Sequence, residues 1–174
     1  MSAYLLLKTL HVISSTVLFG TGLGTAFFKW SVDRTGSVRA MRIVSERVVL
    51  ADALFTAPAA VIQPATGLAL GWLLGYPFTR GWIGLAIALY CLAGTCWLVV
   101  VWLQLRMRAL IRVSDSTGRP LSERYWRYAR IWFWLGVPAF GALVVVFALM
   151  VAKPAWNQAA SSIRFPSGSS TTLS

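Results

Sequence analysis

Four stretches of this chain carry almost no charge: Tyr4 to Phe28, Val48 to Leu74, Trp82 to Leu105 and Ile131 to Ala152. Each reaches or exceeds the roughly 20 apolar residues needed to cross a hydrocarbon core. Their apolar positions do not alternate with a period of two, as the strands of a membrane barrel would. A segment in lipid must also satisfy its own backbone amides, so all four are predicted to be helices. They use up most of the length, and the pattern predicts an all-α, integral membrane four-helix bundle that takes residues 1–154 as a single domain.

The connections refine this picture. Gly36 and Ser37 precede Val38, Met41, Ile43 and Val44, apolar at helical spacing, so the second helix is expected to begin before the membrane does. Gly75-Tyr-Pro-Phe-Thr-Arg-Gly81 is short and rich in turn residues, which makes helices two and three an antiparallel hairpin. Helix three is expected to run to about Val113 and to stop at Ser114-Asp-Ser-Thr-Gly-Arg-Pro120. Ser122 is placed to cap a helix that passes through Tyr125-Trp-Arg-Tyr-Ala-Arg130 into the fourth span. Residues 155–174 change to Ser, Thr, Gly and Pro and are expected to be a disordered tail.

Composition supports the membrane reading, with 57% hydrophobic and 12% charged residues, against roughly a quarter charged in a soluble domain. The net charge of +11 would suggest nucleic acid if it were spread evenly, but it is not. Lys29, Arg34, Arg39, Arg42 and Arg47 lie between spans one and two. Arg106, Arg108, Arg112, Arg119, Arg124, Arg127 and Arg130 lie between spans three and four. By the positive-inside rule both basic loops are cytoplasmic and the N and C termini are outside, in a bacterial inner membrane. The charge is thus a topology signal, with a secondary role in holding anionic membrane lipids, and nucleic acid is not an expected partner. The N-terminus lacks the basic start of a cleaved signal peptide, and its apolar run is too long for one. Cys91 and Cys96 are five apart, about 140° around a helix, and cannot pair with each other there.

Inside the spans, polar and small residues gather on stripes. Tyr4, Lys8, His11, Ser15, Leu18, Gly22 and Thr25 share one side of helix one, within roughly 60°. Helix two offers Asp52, Thr56, Ala59, Gln63, Thr66 and Gly67, with Pro64 expected to bend it and free a carbonyl near Ala60. Helix three presents Tyr90, Gly94, Trp97, Val101 and Gln104, and helix four Gly136, Pro138 and Gly141. With these stripes turned inward, the bundle has a core more polar than its rim. Gly20-Thr-Gly-Leu-Gly-Thr25 fails as a dinucleotide fingerprint because it lies within a span. Gly20 and Gly24 instead form a GxxxG pair for close helix approach.

His11 is the sole histidine and is expected to face the bundle, since a lipid-facing imidazole is costly. Helical rise places it roughly 10 Å deep, level with Gln63 to Gly67 and with Tyr90. Asp52 lies near the opposite surface, too far for a direct bond. Structural hydrogen bonding, haem ligation, and proton or other metal work all remain open for His11. As second axial ligands for a haem, Met150, Lys8, a histidine from another subunit, or none come into consideration. Lys8 can snorkel outward, and Asp52 can pair with Arg47 or Arg106. No spaced metal-ligand set, Ser-His-Asp arrangement or pair of catalytic carboxylates is visible.

The opening Leu6-Leu-Lys-Thr-Leu-His11, followed by a glycine-bearing helix and the basic end Phe27-Phe-Lys-Trp30, resembles the first helix of the superfamily of HemJ-type protoporphyrinogen oxidase and copper-resistance protein D. The wider pattern, including Asp52, Gln63-Pro-Ala-Thr-Gly67 and Met150-Val-Ala-Lys-Pro154, is similar to a family of predicted integral membrane proteins of unknown function within that group. The resemblance implies haem b on His11. Where HemJ-type enzymes carry a further histidine this chain has Lys29-Trp-Ser-Val32, and no lysine lies between Trp82 and Leu105, so protoporphyrinogen oxidation is not implied. The leading expectation is a haem b redox or electron-transfer protein with His11 as ligand and Gln63, Thr66, Tyr90 and Met150 around the group. The alternatives are a non-enzymatic scaffold or accessory subunit in a homodimer or larger complex, and a small-solute or proton carrier using Asp52, Lys8 and Pro64.

Overall fold

The computed structural model describes residues 2–78 and 81–154. The proposed tail at 155–174, and Arg80 in the short loop, lie outside these residues. The chain forms four helices, α1 (Ala3–Asp33), α2 (Val38–Leu73), α3 (Gly81–Thr117) and α4 (Glu123–Ala152), each long and apolar enough to cross a membrane. No strand occurs among the described residues.

The helices outrun the apolar windows at one end. α1 continues to Asp33, α2 starts at Val38, α3 runs on to Thr117 and α4 begins at Glu123, so helix persists through the basic segments. At about 1.5 Å per residue they exceed the roughly 30 Å core, and Arg and Lys are good helix formers, so nothing stops them at the membrane surface. They stop where the backbone turns: Gly36 and Gly118 adopt φ of +69° and +65°, a left-handed conformation that costs glycine nothing. The Ser37 hydroxyl accepts from the Ala40 amide at 3.3 Å and caps α2. Ser122 occupies the matching position before α4, but its hydroxyl makes no cap bond. Its carbonyl accepts from the Tyr125 amide at 2.9 Å instead, so the expected side-chain cap is replaced by a backbone turn.

α1 packs along α2, and α3 along α4. The two hairpins join chiefly at the basic end, where the first half of α2 lies against α3. There Met41, Leu103, Met107, Ile111 and Tyr125 are essentially inaccessible and form one core with Val32 and Trp132. At the far end the second half of α2 makes no comparable contact with α3. The hairpins are bridged there by Phe19, edge-on to Phe140 and Phe147 at 5.7 and 5.4 Å, and by one hydrogen bond described below. Ala86, Val146 and Leu149 form a small separate core between α3 and α4.

The α2 stripe faces inward as the spacing requires: Asp52, Thr56, Ala59, Gln63 and Thr66 are all buried. Leu, Val, Phe and Trp side chains cover the outside, Val61, Trp72, Trp134 and Val151 among them, so the interior is more polar than the rim. On α1 the stripe is rotated. Ser14 is the buried hydroxyl, while Ser15 donates back to the Val12 carbonyl at 2.8 Å. The α4 stripe does not face inward. Pro138 and Gly141 are exposed and nothing approaches Gly136, because larger residues, Trp132, Ala142, Val146 and Leu149, make the contacts of α4. Gly20 and Gly24 likewise meet no other helix within this chain.

Pro64 sits inside α2 without ending it. Lacking an N–H, it leaves the Ala60 carbonyl four residues earlier without its helical donor. The Tyr90 hydroxyl of α3 donates to that carbonyl at 2.8 Å, linking the hairpins where packing is sparse. Tyr90→Phe is therefore expected to destabilise the protein by about 1 kcal/mol, read from detergent unfolding. The same change made on Pro64→Ala, which restores an N–H for Ala60, should cost much less. Equal losses in both backgrounds would show that the bond carries no stability.

Candidate functional site

The far half of the α1–α2 pair holds a continuous polar network. The Thr66 hydroxyl donates to its own helix, at the Ile62 carbonyl (2.7 Å), and so presents a lone pair to His11 Nδ1 at 2.9 Å. That arrangement assigns the imidazole proton to Nδ1 and leaves Nε2 as an acceptor. The Gln63 amide nitrogen lies 3.2 Å from Nε2 and donates to it. Gln63 Oε1 in turn accepts from Ser14 at 2.5 Å. The direction of every bond is consistent from Ser14 to the Ile62 carbonyl, with a neutral imidazole in the middle.

Backbone shape makes room for this. Gly67 lies directly against the ring, and a Cβ there would stand 3.0 Å from His11 Cε1. His11, Gln63, Thr66 and Gly67 meet because positions 63, 66 and 67 share a face of α2 and His11 is opposite them on α1. Helical rise and spacing put His11 level with Gln63 to Gly67; Ser14, one residue from the α1 stripe, carries no such signal.

The other expected site residues go elsewhere. Tyr90 bonds the Ala60 carbonyl and does not touch the imidazole. Met150 packs with Ala86, Val146 and Leu149 between α3 and α4. It also lines a groove of about 440 Å³ with Ser15, Thr16, Phe19, Gly20 and Phe147, which His11 does not line. Lys8 is exposed, its ammonium 5.8 Å from the Tyr4 ring one turn nearer the N-terminus, in keeping with snorkelling.

A haem iron would take the Nε2 lone pair, and the Gln63 amide already fills that position. With both ring nitrogens engaged and Met150 in another cluster, the residues as arranged do not fit a haem. Among the described residues no group of three or more His, Cys, Asp or Glu could hold a metal ion.

Asp52 is buried at the start of a π turn, Asp52–Thr56, that interrupts α2. Its carboxyl accepts from Thr56 at 2.9 Å, and the Gln104 side chain of α3 approaches the same group. The anticipated ion pair with Arg47 or Arg106 does not form; among the described residues Arg42 and Arg112 are the arginines that pair, with Asp115 at 2.9 Å and Glu46 at 3.1 Å.

A further polar centre lies at the basic end, built on Lys29, one of the basic residues between spans one and two. Lys29 is 1% exposed. Its ammonium donates to Asp33 Oδ2 at 2.7 Å and to the Tyr125 hydroxyl at 2.8 Å, and Tyr125 donates to Asp33 Oδ1 at 2.6 Å. The rings of Tyr125 and Trp132 stand 5.1 and 5.7 Å from the charge. A closed triangle of partners is what lets a lysine exist inside a core, because each charge keeps a partner, and the Trp132 ring adds aromatic cover beside the ammonium. The Lys29–Asp33 spacing of four was a signal available in the sequence; Tyr125, 96 positions away, was not.

Removing one charge of the triangle strands the other. Lys29→Met alone is expected to cost about 3 kcal/mol, measured by reversible unfolding. Lys29→Met with Asp33→Asn should cost distinctly less. A single variant as stable as the parent would contradict the closed triangle.

Comparison with known families matches residues 5–154 to those described as predicted integral membrane proteins (DUF2269). No curated protein and no solved structure matches the chain. These findings give the family but not the wider kinship with HemJ-type or copper-resistance proteins. As the match runs through all four spans, the chain belongs to this family of predicted integral membrane proteins.

Proposed function

We propose that this protein is a non-enzymatic membrane subunit, which acts by docking another membrane-embedded helix rather than by chemistry at His11. One observation carries this reading: the intramembrane polar groups His11, Ser14, Gln63, Thr66, Tyr90 and Asp52 are each hydrogen-bonded within the chain. Such groups rigidify a bundle and leave no reactive atom directed at a substrate. Gly20 and Gly24, by contrast, keep open space in front of them on a side of α1 that a neighbouring helix can approach. The partner is a transmembrane helix of another protein or of a second copy.

The haem reading predicts something different at the same residue. In a docking subunit His11 is a clamp between α1 and α2, and its loss costs stability without changing any spectrum. Asp52 gives little support to a carrier, since its carboxyl is bonded to Thr56 and approached by Gln104.

Protein purified from cells supplied with haem is expected to show no Soret band, and His11→Ala should lower its melting temperature in detergent. A Soret band abolished by His11→Ala would overturn the reading in favour of haem. In native membranes, Gly20→Leu with Gly24→Leu is expected to reduce cross-linking of α1 to its partner by about tenfold while leaving the monomer folded. A chain that stays an isolated monomer in mild detergent and in membranes alike would refute docking.

A further inference from the structure

The basic end carries more charge than the protein can neutralise by itself. The chain has five acidic residues. Asp33 is held in the Lys29 triangle, Glu46 and Asp115 pair with Arg112 and Arg42, and Asp52 is buried in α2. Among the described acidic residues Glu123 alone makes no ion pair and is not buried. Arg106 and Arg124 make no ion pair among the described residues, yet both flank a groove of about 400 Å³ between α3 and α4. Trp102 and Tyr128 form its walls, in edge-on contact at 6.0 Å, and Leu110 and Val113 are apolar lining. Arg106 stands 5.4 Å from the Trp102 ring and Arg124 6.0 Å from the Tyr128 ring, so each guanidinium has an aromatic support beside the opening.

The position of the groove identifies its occupant. Trp102 falls within the apolar run of the third span, and Arg106 is the first charge after that run ends. The groove therefore straddles the level where hydrocarbon meets headgroups, where Trp and Tyr side chains concentrate and where phosphates lie. We propose that it binds one anionic phospholipid, with the phosphate between Arg106 and Arg124 and the acyl chains passing Trp102 towards the exposed Leu98 and Val99. Guanidinium suits this role because its planar fork matches phosphate oxygens. Exposed Trp102, Leu98 and Val99 share one helical face that leads from the groove into the apolar span, which favours a phospholipid over a free phosphate that has no use for it.

The test is native mass spectrometry on the full chain in detergent, titrated separately with dioleoyl phosphatidylglycerol, dioleoyl phosphatidylcholine and inorganic phosphate. The wild type should retain one phosphatidylglycerol preferentially, and millimolar phosphate should not displace it. Arg106→Gln with Arg124→Gln should weaken retention about thirtyfold, taking each surface arginine at its usual worth near anionic lipid. Arg106→Lys with Arg124→Lys should keep most of it. Arg127→Gln with Arg130→Gln, which removes the same charge outside the groove, should change it by less than about threefold. The proposal is overturned if phosphatidylcholine is held as tightly, if phosphate displaces the lipid, or if the two glutamine pairs weaken binding equally. Because these substitutions are on the surface of α3 and α4 and leave Gly20 and Gly24 of α1 untouched, the result does not depend on the docking reading.

Discussion

A polar group inside a bilayer has no water to return to, so it must find its partner in the protein, and that requirement organises this bundle. Pro64 deprives the Ala60 carbonyl of its helical donor, and a tyrosine from the other hairpin supplies one. His11 is tied at both ring nitrogens, Gln63 to the imidazole and to Ser14, Thr66 to the imidazole and to its own helix. Each arrangement joins two helices that apolar packing alone would hold weakly, since lipid tails compete with apolar side chains for the same contacts.

The same rule explains why the two ends differ. At the basic end the Lys29 triangle sits among Met41, Met107, Ile111 and Trp132, and all four helices take part in one core. At the far end α1–α2 and α3–α4 are held by Phe19 against two phenylalanines and by the Tyr90 bond. A bundle closed at one end and parted at the other has its rigidity where the charges are. The docking proposed for Gly20 and Gly24 lies on α1, within the span, and the lipid groove between Arg106 and Arg124 lies between α3 and α4 at the basic end, so the two draw on different helices.

Much of this was legible from residue order because a helix fixes angles. Once α2 is a helix, Asp52, Thr56, Ala59, Gln63 and Thr66 must share a face, and a face so polar cannot meet lipid. The depth at which His11 meets Gln63 and Thr66 follows equally from a rise of about 1.5 Å per residue. Angles alone were not enough on α1, where a single residue is about 100° and packing selected Ser14 rather than Ser15. Small residues were misleading for a related reason: Gly136 and Gly141 permit close approach but do not compel it, and larger neighbours made the contacts of α4.

By itself, then, the order of residues determined four membrane-spanning helices, which faces of α2 are buried and which connections carry positive charge, since these depend on local geometry and on the cost of placing polar groups in hydrocarbon. Tertiary structure alone decided which polar groups pair across helices. Whether Lys29 is a topology charge or the centre of a buried triangle, and whether His11 Nε2 is free for a ligand or occupied by Gln63, depends on side chains tens of residues away being brought within about 3 Å by packing, and no spacing along one helix encodes that distance.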